Sequence, residues 1–147
     1  MDLTKTYPRS VHDRFAGIVQ IGRTTDKARA FRAGTLGEYH YNCSMDQAVF
    51  AFLGISDHGA YADKAASTSD AELERWLRDT YLSKKTAAEI DAWNREWVEN
   101  APAPGSDSAK YFFQLRAQID PTRTDVTSWP DLLDLEEHRD VPRRKAA

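Results

Sequence analysis

The run Ser69-Asp-Ala-Glu72-Leu73-Glu-Arg-Trp76-Leu77-Arg-Asp-Thr-Tyr81 decides the fold class. Ser69 with Glu72 three residues later is a capping box, in which the hydroxyl takes a free first-turn N–H and the carboxylate reaches back. Leu73, Trp76, Leu77 and Tyr81 then recur at spacings of three and four, the period of a helix with one buried face. Thr86-Ala-Ala-Glu89 repeats the device ahead of Ile90, Trp93 and Trp97.

Toward the C-terminus, Pro102-Ala-Pro-Gly105 is a turn-rich break too short to be a domain linker. Ser106 or Ser108 caps a helix carrying Tyr111, Phe112, Leu115 and Ile119, which Pro121 ends. The polar run 123–129 reads as a capped turn, and a short helix over 129–137 uses Pro130 in its first turn. Toward the N-terminus, 57–67 is Ala-rich and weakly periodic, and 45–55 is a short apolar helix. The stretch 18–33 puts Ile18, Ile21, Thr25, Ala28 and Phe31 on one face, with Gly34 in the C′ position. Ser10 is the expected N-cap of a first helix over 11–17. Strand-like alternation is ambiguous at 18–21 and 38–43. The expected fold is all-α: one domain over 1–147 with six or seven short to medium helices. An irregular segment falls at about 34–46, and 1–9 and 138–147 are expected to fray.

Composition agrees with a packed domain. A chain of 147 residues buries roughly two thirds of its unfolded surface. Four Trp among 11% aromatic residues argue for a core rather than disorder. No apolar run approaches a membrane span and the first residues lack a signal-like apolar region, so a soluble, cytoplasmic protein without membrane contact is expected. The single Cys43 excludes an internal disulfide. Charge is polarised: residues 1–45 carry seven Lys/Arg against four Asp/Glu, residues 46–137 nine against eighteen, and residues 138–147 four against one. The acidic centre repels phosphate backbones and argues against nucleic-acid binding. The basic tail (Arg139, Arg143, Arg144, Lys145) reads as a solvated end.

The segment Gly34-Thr-Leu-Gly-Glu-Tyr-His-Tyr-Asn-Cys-Ser-Met-Asp46 interrupts the helical pattern with titratable and aromatic side chains, where site chemistry would be displayed. As a catalytic set, Glu38, His40 and Cys43 offer an acid, a base and a nucleophile, and Cys43 precedes the helix at 45. Against this, no Cys-protease string is present and no orienting Asn or Asp is identifiable, and an extended 38–43 sends His40 and Cys43 to opposite faces. A metal site from Glu38, His40, Cys43 and Asp46 lacks ligand spacing of any specificity, with the four His scattered at 12, 40, 58 and 138, so no metal and no cofactor is expected. Neither glycine-rich nucleotide pattern is present.

A ligand-binding set is the third reading: Arg23, Asp26, Lys27, Arg29 and Arg32 with Tyr39 and Tyr41. Arg29 and Arg32 fall beside the apolar stripe, where a guanidinium needs a partner because an unpaired buried charge is costly. Asp26 and Glu38 are the nearest candidates. Such a set is a structural Arg–carboxylate lattice pinning 34–46, a pocket for a carboxylate or phosphate, or both.

The strings Asp2-Leu-Thr-Lys5, Pro8-Arg-Ser10, Asp26-Lys-Ala-Arg-Ala30, Gly34-Thr-Leu-Gly-Glu-Tyr-His-Tyr-Asn-Cys43, Phe50-Ala-Phe-Leu-Gly-Ile55, Ala92-Trp-Asn94 and Trp129-Pro-Asp-Leu-Leu-Asp134 resemble a family of small bacterial proteins catalogued only as a domain of unknown function. The resemblance spans nearly the whole chain, with Val11 and Ser44 standing where relatives are expected to have Pro. It implies a bacterial source and a stand-alone domain, and it assigns no catalytic residue. Three functions follow as expectations. The first is binding of a small polar or anionic molecule, or of a protein partner, through 23–46. The second is a small enzyme using Glu38, His40 or Cys43, and the third is an adaptor docking through its acidic face.

Overall fold

The computed structural model describes residues 1–144; Lys145 of the basic tail lies outside the described residues. Among the described residues are seven α-helices: α1 (Ile21–Ala33), α2 (Ser44–Leu53), α3 (His58–Ser67), α4 (Asp70–Thr80), α5 (Ala87–Trp97), α6 (Asp107–Ile119) and α7 (Trp129–Glu136), with a 3-10 turn at Leu82–Lys84. The all-α expectation holds, and the capping boxes expected at Ser69 and Thr86 form. Ser69 Oγ accepts the Glu72 N–H at 3.2 Å and donates to the Glu72 carboxylate at 3.1 Å. Thr86 and Glu89 make the same exchange. Ser106, rather than Ser108, caps α6.

The expected helix over 11–17 is absent. In its place Phe15 and Ile18 exchange two backbone hydrogen bonds of 3.0 Å across a tight turn at Ala16 (φ 53°) and Gly17 (φ 80°). Two successive positive φ values suit a two-residue hairpin and cannot continue a right-handed helix. Phe15 and Ile18, on either side of the turn, are both buried, at 2% and 0% exposure. Helix α1 therefore begins at Ile21, not at 18.

The chain divides into two compact units, Met1–Ala92 and the part from Trp93 onward. In the first, α1 packs against α3 and α2. Its apolar core includes Val11, Ile18, Ile21, Val49, Tyr61, Leu73 and Leu77, all nearly inaccessible. Phe31, expected on the inner face of α1, is instead 43% exposed and stacks on Tyr41 at 5.3 Å. The leading residues are tied down rather than frayed: Leu3 is buried and its N–H donates to the Thr35 carbonyl at 2.9 Å.

In the second unit Phe112, Val126, Leu132 and Val141 form the core, with Leu115, Ile119, Trp129 and Leu135 against it. Trp93 and Trp97 stack at 4.8 Å, half buried. The basic segment 139–144 is also anchored where fraying was expected. Arg144 makes a two-pronged pair with Glu99 (2.8 and 3.1 Å) and reaches Asp131, while Val141 enters the core. Opposite charge and one apolar side chain hold that end in place.

Candidate functional site

Helix α1 is unusual in burying its polar residues. Thr24, Thr25, Asp26 and Lys27 are all inside, with Arg23 only 4% exposed. Such groups survive burial only if hydrogen-bonded or paired, and each has a partner.

The centre of the arrangement is Lys27, whose ammonium lies 2.8 Å from the Asp46 carboxylate, with both side chains buried. Lys27 also donates to the His40 carbonyl at 3.0 Å and to the Cys43 sulfur at 3.3 Å. Asp46 is satisfied on every side. It accepts from Thr24 Oγ1 at 2.6 Å, Gln20 Nε2 at 3.5 Å, and the backbone N–H groups of Asn42 (2.9 Å) and Cys43 (3.3 Å). Asp46 is the third residue of α2 and Cys43 its N-cap, so the carboxylate stabilises the helix start as well. One buried ion pair thus pins the bend at 34–43 to α1.

The expected Arg29–Glu38 contact does not form. Arg29 turns the other way, donating to the Ala65 and Thr68 carbonyls at 2.9 and 3.1 Å and pairing with Asp70 at 2.5 Å. Glu38 is exposed. The reason is position: Arg29 faces the end of α3 and the start of α4, where free carbonyls and a first-turn carboxylate await a cation. Asp26 likewise serves Arg9 rather than Arg29, accepting from its backbone N–H at 2.8 Å and from its guanidinium at 3.1 and 2.9 Å. Arg9 continues to Asp70 at 3.2 Å and lies 4.8 Å over the Phe15 ring. Burial pushes the Asp70 carboxyl up, but hydrogen bonds and charge from Arg29 and Arg9 outweigh it and hold the group below its ordinary value.

The remaining candidates sit around these two networks. Arg23 donates to the Arg9 carbonyl at 3.3 Å and covers the Tyr39 ring at 5.6 Å. Arg32 pairs with Asp63 at 2.8 Å and with the Gly59 carbonyl at 2.9 Å. Tyr41 donates to the His58 carbonyl at 2.6 Å, and burial raises its hydroxyl above the ordinary range. Tyr61 shares a 2.7 Å hydrogen bond with Thr25, and burial raises it likewise. His40 meets Lys27 through its backbone carbonyl while its residue is exposed, and Cys43 is half buried.

The charged side chains of this region do find partners, but not the ones the sequence suggested. Lys27 and Asp46 take the place assigned to Arg29 and Glu38, and Arg9, Gln20, Thr24 and Asp70 were not foreseen as partners. The Cys43-x-x-Asp46 capping spacing was the one available signal. Among the described residues no group of three or more His, Cys, Asp or Glu is placed to hold a metal ion. No helix among them is long and apolar enough to cross a membrane.

These features define an all-α protein in which a bend is clamped to its neighbouring helix by buried charge. The family described as Domain of unknown function (DUF5069) matches residues 5–139, and the chain belongs to that family. No curated protein matches it.

Proposed function

We propose that this is a binding domain that recognises a protein partner through the bend at 35–43, with α1 as its scaffold. The observation that carries the reading is the clamp: a buried ammonium–carboxylate pair holds a loop whose Glu38 and His40 are exposed. A loop already fixed loses little entropy when it is engaged, which is the advantage of a preorganised recognition element. A pull-down from cells that make the protein, comparing wild type with Glu38→Ala/His40→Ala, tests it. Selective loss of a captured protein by the variant, with its circular dichroism unchanged, supports the reading; equal capture by both overturns it.

A small anionic ligand is the second reading, and its support lies at Asp70. There Arg9 and Arg29 converge with side chains 30% and 20% exposed, so a free carboxylate or phosphate could compete with Asp70, itself 49% exposed, for the same donors. A thermal-shift series with inorganic phosphate and dicarboxylates tests this, and no rise in Tm at millimolar concentration removes it. The enzyme alternative using Glu38, His40 and Cys43 ranks behind both, because His40 offers Lys27 its carbonyl rather than its ring. The adaptor reading shares the protein-partner test and differs in placing contact on the acidic face.

A further inference from the structure

We propose that Cys43 and Lys27 form a peroxide-driven covalent switch beneath the bend, closing a sulfur–nitrogen bond that replaces the Lys27–Asp46 clamp. Its consequence for binding rests on the recognition role of the bend; the bond itself does not.

The argument begins with placement. Lys27 Nζ lies 3.3 Å from Cys43 Sγ and is held there by Asp46 at 2.8 Å and the His40 carbonyl at 3.0 Å. Lys27 is 5% exposed, so its amine is confined rather than sweeping through solvent. Cys43 is half buried rather than enclosed, and the switch requires a small oxidant to reach its sulfur. It is also the chain's single cysteine, so an oxidised sulfur has no second thiol in the molecule to condense with. The amine is the nucleophile at hand.

The steps balance with hydrogen peroxide as the oxidant. The thiol takes one oxygen, giving sulfenic acid and water. The Lys27 ammonium first passes one proton to the Asp46 carboxylate; the neutral amine so formed attacks that sulfur, the S–N bond forms, and the S–O bond breaks. Hydroxide leaves with a second of the three protons as water, and the third stays on nitrogen. Ammonium and carboxylate are neutralised in the same event, so no unpaired charge is left buried, the outcome that usually makes breaking such a pair costly. A small thiol reverses the bond by attacking sulfur: the Lys27 amine departs and recovers its proton from Asp46. A second thiol equivalent then reduces the mixed disulfide. Oxidation thus exchanges an ionic anchor of the bend for a covalent one and removes the charged donor from the His40 carbonyl.

The test is peptide mass spectrometry of the purified full chain after stoichiometric hydrogen peroxide and non-reducing chymotryptic digestion. The expected product joins the peptides bearing Lys27 and Cys43, at a mass two hydrogen atoms below their sum. It disappears on thiol treatment and is absent from Cys43→Ser. Finding Cys43 only as oxygen adducts or as an intermolecular disulfide, with the Lys27 peptide free, overturns the proposal. That result leaves the binding role of the bend standing, because no partner enters the measurement.

Discussion

Lys27 and Asp46 meet 2.8 Å apart with side chains 6% and 0% exposed, and through that contact α1 holds the start of α2 and the bend before it. Removing one member strands the other in a dry interior. Asp46→Ala is expected to cost about 3–5 kcal/mol. Lys27→Met/Asp46→Ala is expected to cost clearly less than the sum of the single changes, because the orphaned charge is gone. Urea denaturation of the set gives the answer, and additive costs would mean that the two residues do not act as a pair.

A tight backbone approach predicts a contrast between two glycines. At Gly37 (φ +61°) an added Cβ would stand 3.1 Å from the Leu3 carbonyl oxygen, whereas at Gly17 (φ +80°) it would meet nothing within 4 Å. Both alanine variants carry the left-handed penalty of about 1 kcal/mol. Gly37→Ala alone must also displace backbone, so its Tm is expected to fall further, as differential scanning fluorimetry would record.

Acid sensitivity should trace to Asp70. Its carboxyl is held below its unfolded value despite burial, by Arg29 and Arg9. A depressed folded value gives stability that is fully present above the unfolded value, about 4, and is lost as pH falls through the folded one. The stability difference between wild type and Asp70→Asn is therefore expected to be constant from about pH 5 to 7 and to shrink below about pH 4. A difference that does not change with pH would contradict the pairing.

Alkaline sensitivity has the opposite sign. Burial raises the Tyr61 hydroxyl, so its contribution is complete below the unfolded value of about 10 and is lost as pH climbs beyond it. Tyr61→Phe is expected to cost about 1 kcal/mol at neutral pH through the lost hydrogen bond with Thr25. The same variant should lose less stability than wild type between pH 10 and 11. Chemical denaturation at both pH values measures this, and parallel losses would rule Tyr61 out as the source.

Local chemistry in the chain was enough to define the helical class, the caps at Ser69 and Thr86, a serine cap at 106 or 108, the C-terminal Gly34 of α1 and the place of the bend. Capping and amphipathic period are interactions between residues three or four apart, so they are written in adjacent letters. The Ala16–Gly17 hairpin escaped because Gly17 inside an apolar run reads equally as a helix end or a turn. The turn is marked by the positive φ values at Ala16 and Gly17 and by the paired backbones of Phe15 and Ile18. Partner choice escaped for a stronger reason. Arg29, Glu38, Asp26 and Lys27 are all plausible ion-pair members by type. Which cation meets which carboxylate depends on the rotation of α1 and on the arrival of Arg9, 17 positions before Asp26, and of Asp70, 41 after Arg29. Local sequence thus determined that polar groups on this helix needed partners, and only the packing of distant segments decided who those partners were, because a buried charge pairs with whatever the fold brings within about 3 Å.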